Sequence, residues 1–235
     1  MDAQSNLASS ANLPFQVPES LSQLAERYLE AEIVEGRLPA GTRLNPEEIA
    51  KTLSISKSPV REAMILLQRE GLVKGKPRSI FVVSEINLAD LAEIYPIRAA
   101  LNALAVRTVM QSPAAAATIN ELARRLEQMR VHAEKGDAAG YFHASSDFYN
   151  TLIANCPNQR LQTMWRQLSR QVLRFRFLVM SQAGHLQRSF PDHQRLVAAM
   201  KKGNVEKATA YAEEIIYKAL ADLKAILGAA NPTAV

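Results

Sequence analysis

Apolar positions in the first third of the chain change their spacing several times, and each change marks an element. Leu21, Leu24, Ala25, Tyr28, Leu29, Ile33 and Val34 form one helical stripe, ended by Gly36 and a turn over residues 39–41. Asn45-Pro46-Glu47-Glu48 starts a second helix, with Asn as cap, Pro at the first helical position and Glu at the third; it runs to about Leu53. Ser56 caps a third helix, which tolerates Pro59 in its first turn and continues through Leu67 to stop at Gly71. Leu72-Val73 and Ile80-Phe81-Val82-Val83 then flank Gly75-Lys76-Pro77-Arg78-Ser79, the pattern of a small β-hairpin.

Beyond Leu88 there is no strand signal. Six helical segments are predicted, at about residues 88–110, 114–135, 138–154, 158–181, 187–202 and 205–227. Breaks fall at Ser112-Pro113 (a cap before a first-turn proline), Gly136-Asp137, Cys156-Pro157, Gly184 and Gly203-Asn204. The predicted fold is mainly α: a winged helix-turn-helix of three helices plus a hairpin, followed by an all-α six-helix bundle. Its divisions are a flexible arm over 1–18, a winged unit over 19–85 with the helix-turn-helix at about 46–67, a helical domain over 86–228 and a tail over 229–235. A length of 235 residues suits two domains, and nine glycines with 48% apolar residues suit folded, mostly helical structure.

Charge becomes informative once it is located. Residues 19–50 hold three Arg against seven Glu, a net of −4, whereas residues 51–84 hold four Lys and three Arg against two Glu, a net of +5. The basic stretch coincides with the third helix and the hairpin. The second helix of a helix-turn-helix enters the major groove amino-terminus first, so Ser56, Lys57, Ser58 and Arg61 are the candidate DNA contacts. Arg offers a bidentate fork, Lys a point charge and Ser a short hydroxyl donor. Lys76 and Arg78 at the hairpin tip would hold the flanking phosphates.

Other classes lose support. Cys156 is the single cysteine, which excludes an internal disulfide and a Cys-cluster zinc site and fits a reducing cytoplasm. No run of about 18 apolar residues suggests a membrane span, and residues 1–12 lack the basic start and apolar stretch of a secretory leader. There is no Gly-rich phosphate loop, nucleophile elbow or metal-type His pair on an inward helix face, so an enzyme is the remote alternative.

Helical wheels sort the polar residues of the second domain. Tyr141, Ser145, Phe148, Tyr149 and Leu152 share one face, with His143 and Asp147 on the opposite side. His193 lies inward with Leu196, Val197 and Met200. Arg98 borders the stripe of Ile94, Leu101 and Ala105, and Arg176 shares the sector of Trp165 and Val172. Arg166, Arg170 and Arg174 form an outer stripe, either solvated or in contact with the winged unit. An inward arginine needs a carboxylate or an anionic ligand.

The residue runs Gly36-Arg37-Leu38-Pro39-Ala40-Gly41-Thr42-Arg43-Leu44, Leu53-Ser54-Ile55-Ser56-Lys57-Ser58-Pro59-Val60-Arg61-Glu62-Ala63 and Leu67-Gln68-Arg69-Glu70-Gly71-Leu72-Val73 resemble the GntR family of transcriptional regulators, although that family usually has Arg at the Lys57 position. Asp90-Leu91-Ala92-Glu93-Ile94-Tyr95-Pro96-Ile97-Arg98, Asp147-Phe148-Tyr149, Asn158-Gln159-Arg160-Leu161 and the run from Asp192 to Met200 resemble the FadR-type branch with its FCD ligand-sensing domain. Six helices rather than seven point to the VanR-like subgroup. Many such domains bind a divalent metal through an Asp and three His. The resemblance puts those positions on Ser145, Tyr149, His193 and Ile215, so only His193 remains a ligand and no metal or other cofactor is expected.

What the resemblance implies is a ligand-responsive regulator, with repression the expected sign. It would act as a cytoplasmic homodimer on a double-stranded DNA operator and respond to a small carboxylate held by Arg98, Ser145, Tyr149, His193 and Arg176. A metal-dependent or acyl-CoA-responsive regulator of the same branch is the alternative.

Overall fold

The structure is a computed structural model, and it describes residues 20–75, 80–85 and 87–230. The expected arm over 1–18, the hairpin-tip residues Lys76 and Arg78 and the end of the tail lie outside the described residues.

The amino-terminal unit runs α1 (Leu21–Val34), β1 (Arg43–Leu44), α2 (Pro46–Leu53), α3 (Lys57–Arg69), β2 (Val73–Lys74) and β3 (Phe81–Val83). Local chemistry sets the helix starts. Ser20 and Gln23 form a reciprocal capping box ahead of α1: the Ser20 hydroxyl accepts from the Gln23 amide at 3.2 Å, and Gln23 Oε1 accepts from the Ser20 amide at 2.9 Å. Asn45 Oδ1 accepts from the Glu47 amide at 2.9 Å. Glu48 takes the Asn45 side-chain amide instead of its backbone, so the predicted cap is present without the full box. Ser56 occupies the cap position of α3 but its hydroxyl makes no capping bond, which leaves it free to face outward. Ala25, Leu29 and Ile33 of α1 and Val60, Ala63, Met64 and Leu67 of α3 are fully buried together. Among the described residues the sheet has three strands in the order β1-β3-β2, all antiparallel. β1 thus adds to the predicted hairpin a strand that two residues are too short to announce.

The helical domain comprises α4 (Leu88–Met110), α5 (Ala115–Lys135), α6 (Ala138–Ala154), α7 (Gln159–Gln171), α8 (Leu173–Met180), α9 (His185–Lys201) and α10 (Val205–Ala230). Among the described residues seven helices stand where six were expected, because the predicted 158–181 segment is interrupted at Val172 (φ −102°, ψ 7°). Ser112 also departs from its expected role. Its hydroxyl donates to the Val109 carbonyl at 2.8 Å, closing α4, and the cap position of α5 falls on Ala114, which gives no side-chain cap. α10 lies along α4 and α9, and α5 packs on α6 and α9. A distinct apolar cluster joins α4, α8 and α10 through Leu91, Tyr95, Val172, Phe175, Val179 and Leu223. No described helix is long and apolar enough to cross a membrane.

The two units touch directly. α1 packs against α8, and Arg170 of α7 reaches Glu30, Glu70 at 2.8 Å and Glu26 at 3.5 Å. Arg170 of the outer arginine stripe therefore contributes to the contact with the winged unit.

Candidate functional site

On the winged unit, Ser56, Lys57, Ser58 and Arg61 are all exposed along the leading edge of α3. Lys57 is not idle: its ammonium bonds Glu47 of α2, and that pairing holds the Glu47 carboxyl below its ordinary range. Ser58 leans towards Glu62 at 3.4 Å. Arg43 on β1 and Lys74 on β2 are exposed on the adjoining sheet and add basic groups that the sequence pattern did not single out. This surface offers a helix amino-terminus, hydroxyl donors and cations on one edge, which suits a phosphate backbone and base edges.

In the helical domain, Arg98, Ser145, Tyr149, Arg176 and His193 line a single cavity of about 330 Å³. They come from four helices. α4 supplies Tyr95 and Arg98; α6 supplies Ser145 and Tyr149; α8 supplies Arg176; α9 supplies His193. α10 closes the cavity with Ile215, Lys218 and Asp222, a wall that the sequence reading foresaw only at Ile215. His143 and Asp147 face solvent, as their wheel position requires.

The electrostatics at the inner end are unusual. Arg98 and Arg176 are 2% and 7% exposed, and among the described residues neither has a carboxylate partner. Burial lowers both guanidinium pKa values, that of Arg176 to about 10 with the Arg98 charge nearby; arginine keeps its proton in proteins, so both carry charge. Partial compensation comes from aromatic faces. Arg98 lies 5.1 Å from the Tyr95 ring centre, and Arg176 lies 5.4 Å from Phe142 and 5.9 Å from Tyr149. Arg176 also donates to the Ser145 hydroxyl at 3.2 Å. Among the described residues, Arg98 Nε and the Tyr95 hydroxyl, both buried, have no hydrogen-bond partner. Tyr95 is near enough to feel the guanidinium charge, but the geometry falls short of a bond.

His193 is neutral. Burial pulls its pKa down to about 4, and Nδ1 lies 3.0 Å from the Ser189 carbonyl, which can only accept. Nδ1 therefore carries the proton, and Nε2 accepts from the Tyr149 hydroxyl at 3.1 Å. The imidazole lone pair that would face a metal is already engaged. The four positions that resemble a metal shell (Ser145, Tyr149, His193 and Ile215) do converge on the cavity, but they offer one imidazole, two neutral hydroxyls and a hydrocarbon. That donor set does not fit a divalent ion. Among the described residues, the one cluster of three acidic, His or Cys ligands is Glu26, Glu30 and Glu70 at the domain contact.

At the outer rim the two acids have hydrogen-bonding partners. Asp192 accepts from Lys218 at 3.0 Å and from Arg195, and Asp222 meets His185 Nδ1 at 3.0 Å. Burial lowers the His185 pKa against the pull of Asp222, so this contact is a hydrogen bond from a neutral ring.

Comparison with known proteins agrees with this two-part arrangement. A family model described as the FCD domain matches residues 93–218, and one described as bacterial regulatory proteins, gntR family, matches residues 21–83. The chain is similar to the "Probable D-xylose utilization operon transcriptional repressor" of Paenarthrobacter nicotinovorans, at 30% identity over 77% of this chain and 79% of that one. It is similar to the gluconate operon transcriptional repressor of Bacillus subtilis at 27% identity, over 72% of this chain and 68% of that one. Among solved structures, E. coli McbR/YncC superposes with a TM-score of 0.76 at 25% identity, covering 89% of this chain and 99% of that chain.

Proposed function

The chain belongs to the gntR family of bacterial regulatory proteins and carries the FCD domain, and from that premise we propose that it is a ligand-responsive repressor of the FadR-type branch whose helical domain senses a small organic acid. One observation carries the reading. Two buried guanidiniums without carboxylate partners face one cavity, in a domain that grips a winged helix through Arg170. An unpaired buried cation is costly, so the fold retains these two where an anion offsets them. Both curated relatives above are named repressors, which supports that sign of regulation.

The cavity also bears on the alternatives. The helix count no longer argues for the VanR-like subgroup, since α7 and α8 are separate. A cavity of about 330 Å³ suits a small acid and is too small for an acyl-CoA with its nucleotide. Engagement of His193 Nε2 by Tyr149 favours a metal-free sensor. The protein would work as a homodimer, two recognition helices reading two half-sites of an operator.

The test is selection of duplexes from a random pool by the purified protein, followed by anisotropy titration of the selected duplex. Arg61→Ala should weaken that duplex by about 1–3 kcal/mol while affecting scrambled DNA less. Equal affinity of the wild type for selected and scrambled duplexes would overturn the reading.

A further inference from the structure

We infer that the ligand is a compact dicarboxylate, an organic acid whose two carboxylates together meet Arg98 and Arg176. This rests on the reading of the cavity as the effector site, and it goes further by fixing the ligand's charge and chemical class.

The inner end of the cavity carries two positive charges and nothing to balance them. Arginine does not shed its proton under biological conditions, so burial cannot remove either charge. The aromatic faces of Tyr95, Phe142 and Tyr149 offset only part of each. Ser145 is a neutral acceptor, and His193 and Tyr149 are neutral. Both acids that line the cavity sit at its rim among other groups: Asp192 accepts from Lys218 and Arg195, and Asp222, bonded to the neutral His185, shares that rim with the exposed Arg188. One carboxylate would leave a buried positive charge behind; two leave none.

The unused hydrogen-bonding groups point the same way. Arg98 Nε and the Tyr95 hydroxyl are buried without partners, and Arg176 has donors beyond the one given to Ser145. A carboxylate has two oxygens and about four acceptor sites, so a single group cannot occupy the forks of two arginines and also reach Tyr95. The rest of the wall excludes a bare inorganic dianion as the natural occupant. Val179, Met180, Ile215, Ile216 and Ala219 are apolar and need carbon against them.

Calorimetry and thermal denaturation of the full chain with succinate, malate, their half-amides, butyrate and inorganic phosphate test this. Succinate or malate should bind at least about tenfold more tightly than the matching half-amide, which keeps the shape and removes one charge. Arg98→Met and Arg176→Met should each abolish that preference. Neither should lower the melting temperature of the ligand-free protein, since each removes an unpaired buried charge. The wild-type comparison stands even if a variant fails to fold. Half-amides binding as well as diacids, or phosphate binding while the diacids do not, would overturn the inference. Should a monocarboxylate bind and shift operator affinity, the dianion fails and the sensor reading survives. When no acid of the panel changes melting or operator affinity, both fail.

Discussion

Lys57 reaches Glu47 in the free protein, so the cation at the front of α3 is partly neutralised before any phosphate arrives. An exposed pair of this kind is screened by solvent and contributes little, so DNA can displace it. Glu47 also places a negative charge next to the same phosphates. Glu47→Gln should therefore raise affinity for any duplex by a few-fold and steepen its salt dependence by freeing one more cation to replace counterions. Titrations at several salt concentrations would check this, and an unchanged slope would mean that Lys57 does not touch phosphate. In the cavity, the Tyr149–His193 bond carries a separate expectation. Treatment with a chelator should leave both operator affinity and the acid response unaltered, because Nε2 is occupied by a hydroxyl proton. Elemental analysis finding stoichiometric zinc or nickel would overturn that.

At the scale of elements, the domain contact gathers three carboxylates of the winged unit around one guanidinium of α7. Burial, aided by the other two acids, raises the Glu70 pKa to about 7, against the pull of Arg170; Glu30 is raised as well. A carboxyl whose folded pKa exceeds its unfolded value of 4.5 favours the folded state fully below 4.5 and loses that contribution as pH rises through about 7. Wild type should thus gain stability over Glu70→Gln as pH is lowered from 8 towards 5. Discounted for solvent screening, the gain is about 1 kcal/mol, or roughly 2–4 °C in melting temperature for a chain of this size. The difference between the two proteins is the quantity to measure, because buried His193 and His185 act in the opposite sense, losing stability as pH falls below 6.5. A difference that does not vary with pH would remove Glu70 from the contact.

Sequence patterns reached these elements unevenly, for physical reasons. The bounds of α2, α4 and α6 were legible because proline, glycine and capping side chains mark them. The break at Val172 was not, since Gln171-Val172-Leu173 contains neither proline nor glycine and its apolar spacing runs on unbroken. The α4, α6 and α9 walls of the cavity were legible from inward polar residues on apolar faces. Lys218 and Asp222 of α10 were not singled out in the sequence, since their engagement with Asp192 and His185 depends on α9, which no local pattern brings near. Arg170 stood out on the outer stripe, but nothing local tied it to Glu26, Glu30 and Glu70.

For the whole molecule, one winged helix offers a small footprint, and the proposed homodimer would hold two of them at a spacing set by the helical domain. α4 presents a surface suited to that. Ile97 and Leu104 are 48% and 43% exposed, two turns apart on one face with exposed Pro96 and Ala100 beside them. Met164 is exposed on α7, which packs along α4. The opposite face of α4 carries Tyr95 and Arg98 into the cavity, so one helix would join subunit contact to ligand contact. A charge on the outer face should separate the copies without entering the cavity. The wild type should sediment as a dimer at micromolar concentration, and Ile97→Asp combined with Leu104→Asp as a monomer. The variant should keep its diacid-induced rise in melting temperature and lose most of its affinity for a two-half-site duplex. Its affinity for a single half-site should change little, since α3 is untouched. A variant that remains dimeric would mean that α4 is not the subunit contact. One that loses diacid binding along with dimerisation would mean that the cavity depends on the second copy.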